Sequence, residues 1–160
     1  PKTIELFERF GVLTRRELEA RYGIYHDNYV STLNIEALTM VEMAKRQILP
    51  AIIKYTRFLS DTLNSLRDTG LAVDVTIESG MLKEVSAAGA QFRTNLSKLE
   101  KLIEKAHTGD FESIKAHSVF YRDKIFPAME ALRETADRLE TLMGDEYWPL
   151  STYTDLMFSE

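Results

Sequence analysis

Apolar residues recur at helical spacing along nearly the whole of this chain, and the longest run of them sets its plan. Leu33, Ala37, Met40, Ala44, Ile48, Ile52, Tyr55, Leu59, Leu63 and Leu66 follow one another three or four residues apart, as on one face of a helix. Thr14-Arg15-Arg16-Glu17 opens that helix with a capping-box pattern, in which the threonine and glutamate each satisfy the other's free backbone N–H. The spacing predicts one helix over residues 14–67, roughly 80 Å long at about 1.5 Å per residue. Gly23 weakens it by about 1 kcal/mol relative to alanine, and Pro50 is expected to kink it because its ring and missing N–H disrupt a helix interior. A helix of that length is covered only by other long helices laid beside it.

Two further helices follow from the same pattern. Met81, Val85, Ala88, Phe92, Asn95, Leu99, Leu102 and Ala106 form an alternating four-three seam, which predicts a helix over 80–107. Ile125, Met129, Leu132, Ala136, Leu139 and Met143 keep heptad spacing in a third helix over 110–143, whose outer face carries Glu130, Arg133, Glu134, Asp137 and Arg138 for pairing at i,i+3 and i,i+4. Thr108-Gly109-Asp110 reads as the turn between them, with Gly109 closing one helix and Asp110 capping the next. Residues 1–13 are a short helix stopped by Gly11 and a connector, and 68–79 are a loop. Residues 144–160 are an aromatic tail with a final short helix capped by Ser151 or Thr152. Val73, Val75 and Ile77 alternate with polar residues, but a lone strand has nothing to pair with, so they stay in the loop.

The fold class is therefore all-α: an elongated antiparallel bundle of three long helices, with short helices at both ends, forming a single domain over residues 1–160. Ile48-Leu49-Pro50-Ala51-Ile52 and Ile125-Phe126-Pro127-Ala128-Met129 echo one another in the first and third helices. These two helices run parallel, an arrangement in which their two proline kinks can sit side by side.

Composition narrows the function classes. With a net charge of −5, little positive charge is left over for phosphates, so no nucleic-acid partner is expected. No apolar run approaches the roughly 20 residues of a membrane span, and the absence of cysteine removes disulfide and thiolate chemistry. A cytoplasmic location is the expectation. The start at Pro1, with no methionine, suggests a piece of a larger chain.

Catalytic motifs are scarce. Glu104-Lys105-Ala106-His107 is one E-x-x-H, whereas di-iron bundles need two with two more glutamates. His117 could meet His107 across the turn, but two ligands do not make a zinc site. His26, among Tyr22, Tyr25 and Tyr29, reads as a packed or hydrogen-bonded histidine. No catalytic, cofactor-binding or metal-ligating residue is assigned. What stands out instead is Asn34-Ile35-Glu36-Ala37-Leu38-Thr39-Met40-Val41-Glu42-Met43, apolar on nearly every side. Such a stretch is either wrapped by the bundle or docked on another domain. Tyr147-Trp148-Pro149 poses the same choice. Asn34, Glu36, Met40, Glu42, Met43, Tyr147 and Trp148 are accordingly the candidate docking residues.

With these residues in view, the chain resembles the C-terminal region of type III glutamine synthetases. The resemblance rests first on the unbroken stretch from Asn34 to Ala51. It is supported by Leu6-Phe7, Gly11-Val12-Leu13, Arg16-Glu17-Leu18 and Arg21-Tyr22 before that stretch. After it come Tyr121-Arg122-Asp123, Phe126-Pro127-Ala128-Met129, Glu146-Tyr147-Trp148-Pro149, Thr152-Tyr153 and Asp155-Leu156. The resemblance implies an intact ligase that joins ammonia to glutamate with ATP and magnesium or manganese, assembled as stacked hexameric rings. Its catalytic residues would lie in an upstream catalytic domain of the same chain, and this part alone would not be an enzyme. The function it implies is a helical accessory module that serves subunit assembly or supports the catalytic domain. The alternative, from the helices alone, is a stand-alone signalling or scaffold bundle that binds partner helices.

Overall fold

The computed structural model describes residues 2–151 and 153–158, with the side chains of residues 153 and 154 left out. Helix α1 (Lys2–Arg9) leads through Gly11, at φ 62°, into α2 (Arg15–Met43). The predicted capping box is present: Thr14 Oγ1 accepts from the Glu17 N–H at 3.3 Å, and Glu17 Oε2 accepts from the Thr14 N–H at 2.8 Å. Glu8 Oε1 accepts from the Arg15 N–H at 3.0 Å, which ties α1 to the start of α2. Helix α2 is unbroken at Gly23.

Pro50 is accommodated by a change of helical pitch. A π-turn over Ala44–Ile48 separates α2 from α3 (Leu49–Asp68), so that the N–H of Leu49 reaches the carbonyl of Ala44 five residues back. The widened turn makes room for the pyrrolidine ring, which in a regular helix crowds the carbonyl four residues before it. Pro127 is met in the same way. Between α5 (Ile114–Phe120) and α6 (Phe126–Leu142), a π-turn over Tyr121–Ile125 lets the Phe126 N–H bond the Tyr121 carbonyl. Both echoed segments therefore carry the same device.

Helix α4 (Thr76–Thr108) lies between the two composite helices and antiparallel to both. Its contacts with the first run from His107 against Asn34, through Glu100 against Lys45, to Gly89 against Ile52. Those with the third include Lys105 over the Phe120 ring and Asn95 donating to the Ala131 carbonyl at 2.9 Å. A Cβ on Gly89 would sit 3.0 Å from Ile52 Cγ2, so glycine is what allows α3 and α4 to approach this closely. Phe92, Leu96, Leu99, Val85, Ile125 and Leu139 are fully buried at the centre. No strand is found among the described residues, and the all-α elongated bundle stands as expected.

Several sequence expectations are corrected in detail. The two π-turns are not side by side. Tyr121, at the start of the second, bonds Asn34, ten residues ahead of the first, while Ala44 and Ile48 share a cavity with Leu132 and Ala136. The register along α4 sets that stagger, which the echo does not encode. The loop after α3 ends at Val75 rather than at residue 79, because Asp74 Oδ1 accepts from the Thr76 N–H at 2.9 Å and starts α4 early. The third helix begins at Ile114, capped by Ser113 through the Ala116 N–H at 3.1 Å, and not at Asp110. It ends at Leu142, with Asp145–Tyr147 as a single 3-10 turn before the tail. Helix α7 (Tyr153–Phe158) closes the chain; Thr152, one of its two expected caps, lies outside the described residues.

Candidate interaction surfaces

The residues singled out between Asn34 and Met43 separate into three environments. Asn34 is tied inward. Its Oδ1 accepts from the Tyr121 hydroxyl at 3.0 Å and lies 2.9 Å from His107 Nε2, which donates in the tautomer protonated there. This oxygen therefore joins all three long helices, and burial raises the Tyr121 phenol above its ordinary pKa. Glu36 and Glu42 face solvent, Glu42 in an i,i+4 pair with Arg46 at 3.2 Å. Met40 and Met43 are half-buried in a cavity wall.

Tyr147 and Trp148 fold back on their own chain. Tyr147 packs its ring against Tyr55 and Phe58, with centroids 5.0 and 5.2 Å apart, under the Lys54 ammonium. Desolvation by these neighbours raises its pKa. Trp148 is only 8% exposed and lines the same cavity as Met40 and Met43. Candidate residues from distant parts of the sequence thus converge on one space of about 310 Å³. Its floor is Phe92, Leu132 and Ala136, and Arg133, Asp137 and Glu140 also border it.

The histidines are engaged in packing. His26 Nδ1 lies 2.6 Å from Ser118 Oγ, and its ring meets Tyr22 edge-on. Ser118 is 4% exposed, and its hydroxyl also donates to the Lys115 carbonyl at 2.9 Å. His117 stacks on Phe111 and meets Tyr121 at an edge rather than pairing with His107. Among the described residues, no three acidic, histidine or cysteine side chains gather where they could hold a metal ion. No described helix is long and apolar enough to cross a membrane.

Exposed apolar side chains also gather where the sequence suggests no candidate. Leu6, Phe10 and Val12 from α1 and its connector, with Tyr22, Ile24 and Tyr25 from the first half of α2, are all more than half exposed. Ile35 and Leu38 continue the exposed apolar series inside the singled-out stretch. A signal was present: Tyr22, Tyr25 and Tyr29 form one stripe at i, i+3 and i+7 while Ile24 lies on the opposite side, so no single neighbour could bury all four.

Comparison with known proteins bears on this region. A family model described as the glutamine synthetase C-terminal domain matches residues 1–67, which are α1, α2, the first π-turn and α3 to its penultimate residue. A glutamine synthetase of Butyrivibrio fibrisolvens is 31% identical over 158 residues, covering 99% of this chain and 22% of the relative. The type-3 glutamine synthetase of Dictyostelium discoideum is 26% identical over 162 residues, with 98% and 22% covered. A glutamine synthetase of Bacteroides fragilis is 22% identical over 153 residues, with 93% and 21% covered. The chain spans about a fifth of the length of the curated relatives it matches.

Proposed function

This chain is related to the C-terminal region of glutamine synthetases, type-3 members among them, and from that premise we propose that it is a helical accessory module of such a ligase. The intact protein would join ammonia to glutamate using ATP and magnesium or manganese, in a catalytic domain upstream of this module. The module docks on that domain or on neighbouring subunits. One observation carries this reading. The segment that matches the family model also bears many of the exposed apolar side chains, among them Ile24, Ile35 and Leu38, which share one side of α2. Exposed apolar patches of this kind mark interaction sites. Glu36 and Glu42 lie beside that surface as polar rim. Met40, Met43 and Trp148 line the cavity between the helices instead, so their replacement would perturb the bundle itself.

The test uses the intact gene product. Ile35→Asp with Leu38→Asp should leave the helical content unchanged while lowering the mass of the assembly, its glutamine formation, or both. Unchanged mass and glutamine formation would overturn docking through this face. No glutamine from the unaltered protein would overturn the ligase assignment itself. The closed core around Phe92 and Leu99 favours a second reading, a stand-alone scaffold for partner helices, which requires that no ligase sequence lie upstream in the gene.

A further inference from the structure

We propose that the side of α2 carrying Ile24, Ile35 and Leu38 pairs antiparallel, about a two-fold axis, with the same side of a second copy of this chain. This inference rests on the docking role proposed above and names the partner of that face. The face is open along its whole length. From Glu17 to Arg46 the residues on that side of the helix are exposed, a strip roughly 45 Å long at about 1.5 Å per residue. On the opposite side Leu33, Ala37 and Ala44 are buried against the bundle. The three apolar side chains on the strip are too few and too spaced to select a partner by themselves, so the occupant is read from charge.

Each end of the strip carries an acid followed by a base four residues on, Glu17 with Arg21 and Glu42 with Arg46. Glu42 and Arg46 pair at 3.2 Å, and Arg21 exerts an attractive field on Glu17. Laid antiparallel, the two doublets face each other in reverse order. Glu17 then meets the second copy's Arg46, and Arg21 meets its Glu42. Because acid and base are equally spaced at both ends, both matches fall in one register, and neither internal pair has to break. In that register Ile24 lies within one residue of the second copy's Leu38, Ile35 faces its Asn28, and Ser31 sits beside the two-fold axis. Asp27 and Glu36 fall level with one another, but nine residues, about two and a half turns, put them on opposite flanks. A parallel pairing would instead set each charge against its own copy, where like charges repel. Self-complementarity is what a two-fold interface requires, and the charges here fix its orientation and register.

The test is cross-linking in the intact gene product, with the unaltered protein treated alike as the baseline. Two copies of residue 31 would lie side by side, so a short bismaleimide should link Ser31→Cys into dimers well above that baseline. Ala20→Cys should stay at the baseline, because in this register its two copies are roughly 35 Å apart. Adding Glu42→Arg to Ser31→Cys sets arginine against the second copy's Arg21 and should lower the cross-linked fraction several-fold. Adding Arg21→Glu as well should restore it, which only a partner carrying the same face can do. Linkage of Ser31→Cys no greater than the baseline would overturn the proposal. So would equal linkage of Ala20→Cys, or no recovery in the double reversal. These outcomes are distinct from those of the docking role. If Ile35→Asp with Leu38→Asp disperses the assembly while Ser31→Cys fails to link, the face docks on another domain and the pairing alone falls.

Discussion

The two ends of the composite first helix are built from similar residues and meet opposite fates. Beyond Ala44, one full stripe of apolar positions, Ile48, Ile52, Tyr55, Leu59 and Leu63, is buried, and Ile53 and Phe58 lie outside it. Before Asn28, Tyr22, Ile24 and Tyr25 stand in the open. The cause is reach. Helix α4 ends at Thr108, near the level of Asn34, and α5 begins at Ile114, level with the His26 end of α2. Residues 15–21 have α1 as their neighbour. What a helix buries depends less on its own pattern than on how far its neighbours extend. An apolar segment that outruns them is a surface left for another partner.

The strongest way to break this comparison is to truncate one aromatic ring at each end. Phe92→Ala should cost about 3–5 kcal/mol, as large-to-small changes in packed cores do. Tyr25→Ala should stay within about 0.5 kcal/mol, as for exposed positions. Denaturant midpoints of the two variants measure both, and similar losses would mean that the arm is covered after all. Next in size is the polar junction at Asn34. Asn34→Leu strands the buried Tyr121 hydroxyl, an expected loss of about 1–3 kcal/mol. Adding Tyr121→Phe should restore part of it, which a double-mutant cycle would read; strict additivity would mean that the hydrogen bond carries no weight.

A smaller effect should separate the arm from the core. Thr14→Ala removes the cap of α2 at a cost of about 1 kcal/mol. Because the arm is outside the packed core, that cost should appear as faster amide exchange over residues 15–20 with an unchanged global midpoint. A shifted midpoint would show that arm and core unfold together. The smallest effect is a pH dependence at the same place. Hydrogen bonds from the Thr14 backbone, then from its hydroxyl, hold the Glu17 carboxyl below its ordinary pKa. A depressed carboxyl stabilises the folded form above its unfolded pKa, and that contribution is lost as pH falls through the lower folded value. Measured against the intrinsic rate at each pH, exchange at the start of α2 should therefore quicken in acid below the ordinary carboxylate range. In Glu17→Gln that acid-induced quickening should be absent; if it persists, the capping carboxylate is not its source.

Much of the architecture is legible because helical periodicity and capping chemistry are local. Thr14 to Glu17, the seam from Val85 to Ala106 and the heptads from Ile125 to Met143 each declare their helix within a few turns. The early start of α4 was legible too, in Asp74 placed two residues before Thr76. The cavity was not, because its walls come from Met40, Phe92, Leu132 and Trp148, which no local pattern joins. Among the seven docking candidates the sequence could not tell exposed Glu36 from inward-tied Asn34, since both sit in the same apolar stretch.

By itself, then, the sequence determined that this chain forms long helices, where most of them start and stop, and which family its most specific stretch resembles. The tertiary structure decided which apolar residues are covered. It also set the stagger of the two proline-bearing segments and brought the aromatic tail down onto α3, where Tyr147 meets Tyr55 and Phe58. The division has a physical reason. Helix formation is set by hydrogen bonds and side chains within a turn or two. Burial depends on the length and register of neighbouring helices, which are fixed only when Gly89 meets Ile52 and Tyr121 meets Asn34.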